Sequence, residues 1–277
     1  MIIDKNGIRC YTDENNKIVR AGIMEFTDEA KNILSKNETK RIYIESPDCN
    51  IDFQLLEKMS NLEVLEIHID YKMFDISFVN KLKKLTGLGV GRFTGILSHK
   101  GIKDMGYKWH KKSDISQCSN IEYLAVVNCS DMELFMSQIK ELKKLRRMMF
   151  WRISSPAFPK TESGTPVTWL EFMYCPKIID LEELSSNFPN LTHLSFDHCK
   201  NIQDYSPLAR LKELEELIIL ESAPIADLSF LTEMKKLSLL KIGKTKITAK
   251  NVDVLDGITA KVDLFLTGIK VTENNSC

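Results

Sequence analysis

Apolar residues recur along the chain in a fixed pattern, apolar-x-x-apolar-x-apolar, separated by more polar stretches. The clear copies begin at Leu62, Leu85, Ile121, Leu145, Val167, Leu191, Leu214 and Leu237. A weaker copy precedes them at Ile42 and Ile44, and another follows at Leu264 and Leu266. Counted from Thr39, every step between copies is 22–24 residues except one of 36. This regularity predicts stacked repeats, because a unit this short cannot bury its apolar side alone.

A second apolar pattern lies between these copies. Ile225, Leu228, Leu231 and Met234 show it best, at three-residue spacing after a short polar turn. Such spacing predicts a short helix or 3₁₀ turn on the outer side of each repeat.

The two patterns together resemble a leucine-rich repeat, and the second half is similar to the bacterial internalin-type repeat, as in Ile225-Ala-Asp-Leu228-Ser-Phe-Leu231-Thr-Glu-Met234-Lys-Lys-Leu237. The resemblance covers roughly Thr39 to Leu266. It implies an α/β fold, a leucine-rich-repeat solenoid or horseshoe of about ten coils. A parallel sheet would line its concave side, and short helices or 3₁₀ turns would line its convex side. Unlike internalins, the chain shows no export signal and no wall-sorting tail.

The resemblance also gives a role to the ninth position of each repeat. There the family places a side chain that turns inward and bonds free backbone groups. In this chain the position holds Asp70, Cys129, Cys175, Cys199, Ser222 and Thr245. These cysteines are therefore expected to be buried and chemically inert.

The segments that do not follow the regular repeat pattern are predicted separately. Residues 1–38 are predicted to cap the array, with a hairpin turning at Asn6-Gly7 and a short helix capped by Thr27 or Asp28. The array spans 39–266, and the polar tail 267–277 is expected to fray. The insertion at 93–120 is basic and aromatic, either a functional loop or a solvated excursion. Three prolines in Ser154–Pro166 predict extended chain in place of an outer helix.

Composition narrows the function classes. Lys plus Arg equals Asp plus Glu at 38 each, so no net charge drives the chain toward nucleic acid or membranes. No stretch approaches the ~18–20 apolar residues of a membrane helix. The 7 cysteines form no CxxC, which disfavours a zinc site or a disulfide framework. Without a secretory signal, this indicates a cytoplasmic location, and no cofactor or metal is expected.

The residues flanking the inward positions are predicted to point out of the concave sheet, since side chains alternate along a strand. At the centre they are rich in Trp, Tyr, Met and Arg, the composition of interaction hot spots. The predicted partner-binding residues are Tyr123, Arg147, Met149, Trp151, Arg152, Trp169, Glu171, Met173, Tyr174, His193, Asp197 and His198. The alternative is that these side chains pack on one another or lie under the proline-rich segment.

Catalysis has one candidate group, His193, Ser195 and Asp197. These residues share a strand face but point outward in parallel, without converging on a pocket, so the chain is not expected to be an enzyme. Two further alternatives are a metal site at His193, Asp197 and His198, and single-stranded nucleic acid stacked on Trp151 and Trp169 beside Arg147 and Arg152.

The sequence therefore favours a non-catalytic module, monomeric when free, that binds another protein on its concave strand face. The alternative within this class is a cytoplasmic immunity protein that neutralises a cognate bacterial toxin. An adaptor or a delivered effector is also open.

Overall fold

The computed structural model describes residues 1–44, 50–67, 75–90, 113–127, 129 and 131–267. The chain forms two compact units, Met1–Leu145 and Arg146–Cys277. The predicted tail beyond 267, most of the basic insertion and ninth-position Asp70 lie outside the described residues.

The first unit begins with antiparallel strands and continues with parallel ones. Its described strands are β1 (Ile2–Lys5), β2 (Ile8–Thr12), β3 (Ile18–Ile23), β4 (Arg41–Ile44), β5 (Val64–Ile67), β6 (Gly87–Val90) and β7 (Tyr123–Val127). Strand β2 pairs antiparallel with β1 and β3, and β3 to β7 pair in parallel, each with the next. The outer elements are α1 (Asp28–Ser35), α2 (Phe53–Glu57), a 3₁₀ turn (Ser77–Lys81) and α3 (Met132–Ile139).

The predicted hairpin and short helix at the start of the chain are confirmed. Gly7 sits in the hairpin turn with φ 78°, where an added Cβ would lie 2.6 Å from the Glu25 carbonyl oxygen. Thr27 caps α1 by accepting a hydrogen bond from the Ala30 amide at 3.2 Å. The pairing of β3 was not foreseen: β3 lies within the residues assigned to the cap, yet pairs in parallel with the first repeat strand.

The second unit contains only parallel strand pairs among its described residues. Its strands are β8 (Arg147–Trp151), β9 (Trp169–Met173), β10 (His193–Asp197), β11 (Glu216–Leu220), β12 (Leu239–Gly243) and β13 (Lys261–Phe265). Each pairs with the next in direct register. Its outer elements are α4 (Leu184–Asn187), two 3₁₀ turns (Ser206–Arg210 and Ser229–Glu233) and α5 (Val254–Gly257). The expected strand and outer-turn alternation is confirmed in both units, which are leucine-rich-repeat coils.

The core of the second unit is made of columns of equivalent inward residues. Leu170, Leu194 and Leu217 are in register and wholly buried. Beside them, the rings of Phe150, Phe172 and Phe196 stack with centroids 5.6 and 5.2 Å apart. In the last repeat the predicted inward pair Leu264 and Leu266 is wrong. Val262 and Leu264 are the residues in register with the inward residues of β12, and Leu266 is 78% exposed.

The ninth-position side chains that the structure describes, from Cys129 to Thr245, bond backbone carbonyl groups near the strand ends, as the resemblance implied. Ser222 Oγ donates to the Leu220 carbonyl at 2.8 Å and accepts from the Cys199 amide at 3.1 Å. The thiol of Cys175 donates to the Met173 carbonyl. Burial raises the pKa of Cys129 to about 12, which keeps this thiol protonated and unreactive at neutral pH.

The proline-rich segment Ser154–Pro166 forms neither helix nor strand, as predicted. Phe158 fills the space of an outer helix, with its ring 5.4–5.9 Å from those of Phe150, Phe172 and Phe188. The buried Asn187 side chain holds the segment by donating to the Pro159 carbonyl at 2.8 Å.

Candidate functional site

The exposed face of the second unit's strands carries most of the predicted partner-binding residues. Because β8 to β12 are in direct register, equivalent side chains on successive strands form rows across the sheet. Two of these rows are linked from strand to strand by ring and charge contacts. We call them the tryptophan row (Arg147, Trp169, His193, Glu216) and the tyrosine row (Tyr174, His198, Glu221, Lys244).

In the tryptophan row every member contacts the next. The Arg147 guanidinium lies over the Trp169 ring at 4.9 Å and pairs with Glu171 at 3.2 Å. Trp169 stacks on His193 with centroids 3.5 Å apart and an interplanar angle of 8°. His193 Nδ1 lies 2.9 Å from Glu216 Oε2. These contacts on both sides restrain the Trp169 ring.

The Trp169 side chain has a polar atom without a hydrogen-bond partner among the described residues. Its indole nitrogen Nε1 is buried and has no hydrogen-bond partner among the described residues, although the ring as a whole is half-buried. An indole N–H is a donor only, and leaving a buried donor unpaired costs about 1–3 kcal/mol. The row therefore contains a buried donor whose missing hydrogen bond is a local cost to stability, and this donor is covered by the chain itself.

The tyrosine row lies just past the strand ends, where the backbone is left-handed. Tyr174, His198, Glu221 and Lys244 have φ of 50°, 56°, 45° and 49°. Each amide still donates to the carbonyl of the next coil, as from Tyr174 to Asp197 at 2.8 Å, and these bonds offset the cost of the conformation. The sequence did not predict this geometry, since glycine is the residue expected at such angles.

Side chains of the tyrosine row are also linked from coil to coil. Tyr174 stacks on His198 with centroids 4.2 Å apart. His198 Nδ1 is 2.6 Å from Asp197, and its Nε2 is 2.9 Å from Glu221. Both contacts are donated bonds only when the ring carries two protons. Lys244 Nζ pairs with Glu221 at 2.9 Å, and this bond lowers the pKa of the Glu221 carboxyl.

Half-buried apolar side chains lie between the two rows. Met149, Met173, Ile218 and Leu220 occupy outward positions on β8, β9 and β11. Ile218 and Leu220 are outward positions missing from the predicted site, because Ile and Leu are not among the residue types typical of interaction hot spots. The face combines apolar contact area with a rim of charges, as protein interfaces do.

Two predicted site residues are less accessible than expected. Trp151 is 9% exposed and stacks on Tyr174 at 5.2 Å, so the expectation that it faces open solvent is wrong. His193 is 4% exposed because it is packed between Trp169 and Glu216. These side chains do pack on one another, as the alternative interpretation held. Tyr123 belongs to the first unit.

The arrangement does not assemble a catalytic group or a metal site within the described residues. His193, Ser195 and Asp197 share one face of β10, as predicted, but the two outer members bond Glu216 and His198 instead of each other. No cluster of three or more His, Cys, Asp or Glu suited to a metal ion occurs in the described part of the chain. None of the helices described has the length and apolarity to cross a membrane.

Sequence reasoning missed a second group of polar and aromatic residues, on the first unit. Tyr11, Arg20, Arg41 and Tyr43 lie on β2, β3 and β4. These strands precede the clear copies of the repeat, which begin at Leu62, so the repeat pattern gives no outward positions for them. The weak repeat at Ile42 and Ile44 was the signal that could have found Arg41 and Tyr43.

No protein-family model matches the chain, and no curated protein sequence matches it. Solved structures of leucine-rich-repeat proteins are similar in fold. An internalin (InlF) from Listeria monocytogenes matches over 87% of this chain and 72% of its own, at 15% identity and a TM-score of 0.49. A leucine-rich-repeat protein from Leptospira interrogans matches over 87% of this chain and 58% of its own, at 12% identity and a TM-score of 0.49. The functional domain of InlJ from Listeria monocytogenes, which includes a cysteine ladder, matches over 81% and 52%, at 12% identity and a TM-score of 0.41.

Proposed function

We propose that the chain is a protein-interaction module whose second unit binds a partner protein on the exposed face of β8 to β12. The tryptophan row and the tyrosine row supply rigid contacts at the edges of this face. Met149, Met173, Ile218 and Leu220 supply apolar area between them.

The observation that carries this proposal is the state of Trp169. Its ring is held between Arg147 and His193 and is half-exposed, so little conformational entropy is lost when another surface covers it. Tryptophan and arginine are the residue types most enriched among binding hot spots.

The charges of the face favour a partner with a complementary pattern. Strand β8 and its end carry Arg147 and Arg152. The acidic residues Glu171, Asp197, Glu216 and Glu221 follow on the next three coils. This separation of positive and negative charge orients an approaching protein. It excludes proteins with a mismatched charge pattern more than it adds affinity.

A bacterial toxin is one partner that would suit this proposal, which makes the chain its immunity protein. This alternative has its own test. Co-expression with the toxin encoded beside it should protect the host cell, and a variant that replaces Trp169 with Ala should lose the protection while staying folded.

Site-specific photo-crosslinking tests the proposal before the partner is known. Benzoylphenylalanine would replace Met173 or Ile218 on the proposed face and, as a control, Glu233 on an outer 3₁₀ turn. We expect the same protein to be cross-linked from both face positions in source cells and not from the control. Cross-linking from position 233 alone would place the contact elsewhere and contradict the proposal.

A further inference from the structure

The first unit carries two arginines in direct register on neighbouring strands. Arg20 of β3 is the Cα partner of Arg41 of β4. Both side chains are exposed. Like charges placed opposite each other on adjacent strands destabilise a sheet unless something neutralises them.

No such neutralising group occurs among the described residues. Arg9, on the neighbouring strand β2, pairs with Asp4 at 2.7 Å. Neither Arg20 nor Arg41 forms an ion pair within the described ranges of the chain. Arg20 and Arg41 are thus exposed on adjacent strands and have no ion-pair partner within the part of the chain that the structure describes.

Two tyrosines hold the Arg20 side chain in place. Its guanidinium carbon lies 4.8 Å from the centroid of Tyr11 and 4.3 Å from that of Tyr43. Both distances are within the range of cation–π contacts. The two rings therefore restrain the Arg20 side chain without neutralising its charge.

We propose that Arg20 and Arg41 bind a carboxylate side chain from an acidic segment of a protein partner. A planar guanidinium donates two parallel hydrogen bonds to a carboxylate, and these charge-assisted bonds are the strong ones. Arg9 is paired with Asp4, so Arg20 and Arg41 are the arginines of β1 to β5 without an ion-pair partner among the described residues. Two arginines in register on adjacent strands suit a short acidic segment better than a long polyanion. This site is separate from the one proposed on the second unit, so either can fail without the other.

Binding of a blocked tetraglutamate peptide tests this site, with tetraglutamine as the matched neutral peptide. The Nε–H signals of the arginines would be followed by NMR during titration at low salt. We expect saturable shifts at Arg20 and Arg41 with tetraglutamate and none with tetraglutamine. Added salt should weaken the binding through screening.

Variants assign the effect to these two residues. Arg20→Gln and Arg41→Gln should each weaken tetraglutamate binding about tenfold or more, the loss expected for one charge-assisted hydrogen bond. Lys17→Gln, an exposed charge on the turn before β3, should bind like the native chain. Circular dichroism would confirm that all three are folded.

Several results would overturn the proposal. One is the failure of tetraglutamate to bind, and another is equal binding by the glutamine variants. A third is a shift of the two arginine signals by inorganic phosphate or a single-stranded oligonucleotide and not by tetraglutamate. That outcome would replace the acidic segment by a phosphate group or a nucleic acid and reject the carboxylate assignment.

Discussion

The two units share their inward pattern and differ in what they place on the outer face of the strands. Leu88 and Leu124 of the first unit are wholly buried, like Leu170 and Leu194 of the second. On the outer face, β6 and β7 carry Gly87, Gly89 and Ala125 beside Tyr123, while β9 and β10 carry Trp169, Glu171, His193 and Ser195. The inward residues are thus fixed by the fold, whereas the outward ones are free to carry function.

The small residues of the first unit leave room that neighbouring side chains use. A Cβ added at Gly87 would lie 3.3 Å from Val64 Cγ2, and one added at Gly89 would lie 3.0 Å from Glu66 Cγ. Side chains of β5 therefore lean over β6. In the second unit the outer side chains stack on each other and hold a defined surface.

The sharpest test of the inward and outward difference uses adjacent residues on β11. Leu217→Ala removes a wholly buried side chain and should lower the free energy of unfolding by about 2–5 kcal/mol. Ile218→Ala, on the outward side of the same strand, should cost less than about 1 kcal/mol. Urea denaturation of both variants measures this, and equal losses would contradict the assignment of the two faces.

Asn187→Ala tests what holds the proline-rich segment of the second unit. The buried amide donates to the carbonyls of Pro159 and Glu183 at 2.8 and 2.7 Å. Its removal leaves both acceptors without this donor and should cost about 1–3 kcal/mol of unfolding free energy. Asn190→Ala, exposed and three residues away, is the control and should leave the thermal midpoint unchanged. An unchanged free energy of unfolding in Asn187→Ala would show that other contacts hold the segment.

Trp169→Phe separates the ring of the tryptophan row from its indole nitrogen. Phe retains an aromatic ring against His193 and removes the buried donor that has no partner. The gain from removing that donor offsets the smaller ring, so the unfolding free energy should change by less than about 1 kcal/mol. A calorimetric loss well above this value would show that Nε1 is bonded in solution.

The smallest expected effect concerns one ion pair of the tyrosine row. The bond from Lys244 lowers the pKa of Glu221, so Lys244→Gln should raise that pKa toward its usual range. A lowered pKa stabilises the folded state only at pH values at which Glu221 is ionised. This contribution is lost as the pH falls through the pKa of Glu221 in the folded state. The variant and native proteins should therefore converge in stability in acid. NMR titration of the Glu221 carboxyl measures the shift, and an unchanged pKa would exclude Lys244 as its cause.

The sequence predicted the coils because their inward residues obey a fixed period. Leu194 and Leu217 could be placed in register from spacing alone, and so could the residues beside them. The register of the last repeat was predicted wrongly because Val262, Leu264 and Leu266 are apolar at every second position. The inward pair could therefore be Val262 and Leu264 or Leu264 and Leu266, and only the strand pairing distinguishes the two.

The candidate site was predicted less completely, since it depends on contacts between coils. The sequence placed Trp151, Trp169 and His193 on one face but could not show how closely they pack against Tyr174, Arg147 and Glu216. The left-handed backbone of the tyrosine row could not be predicted, because none of its residues is a glycine. The Arg20 and Arg41 pair was missed because their strands preceded the clear repeats.

The measurement that tests the central claim most directly is the affinity of the cross-linked partner for three forms of the chain. Isothermal titration calorimetry would compare the native protein with Trp169→Ala and with Lys235→Ala, an exposed residue on an outer turn of the second unit. Loss of a hot-spot residue should weaken binding about 30-fold or more, while the Lys235 variant should bind like the native protein. Equal affinities for all three forms would contradict the claim that the outer face of β8 to β12 binds the partner.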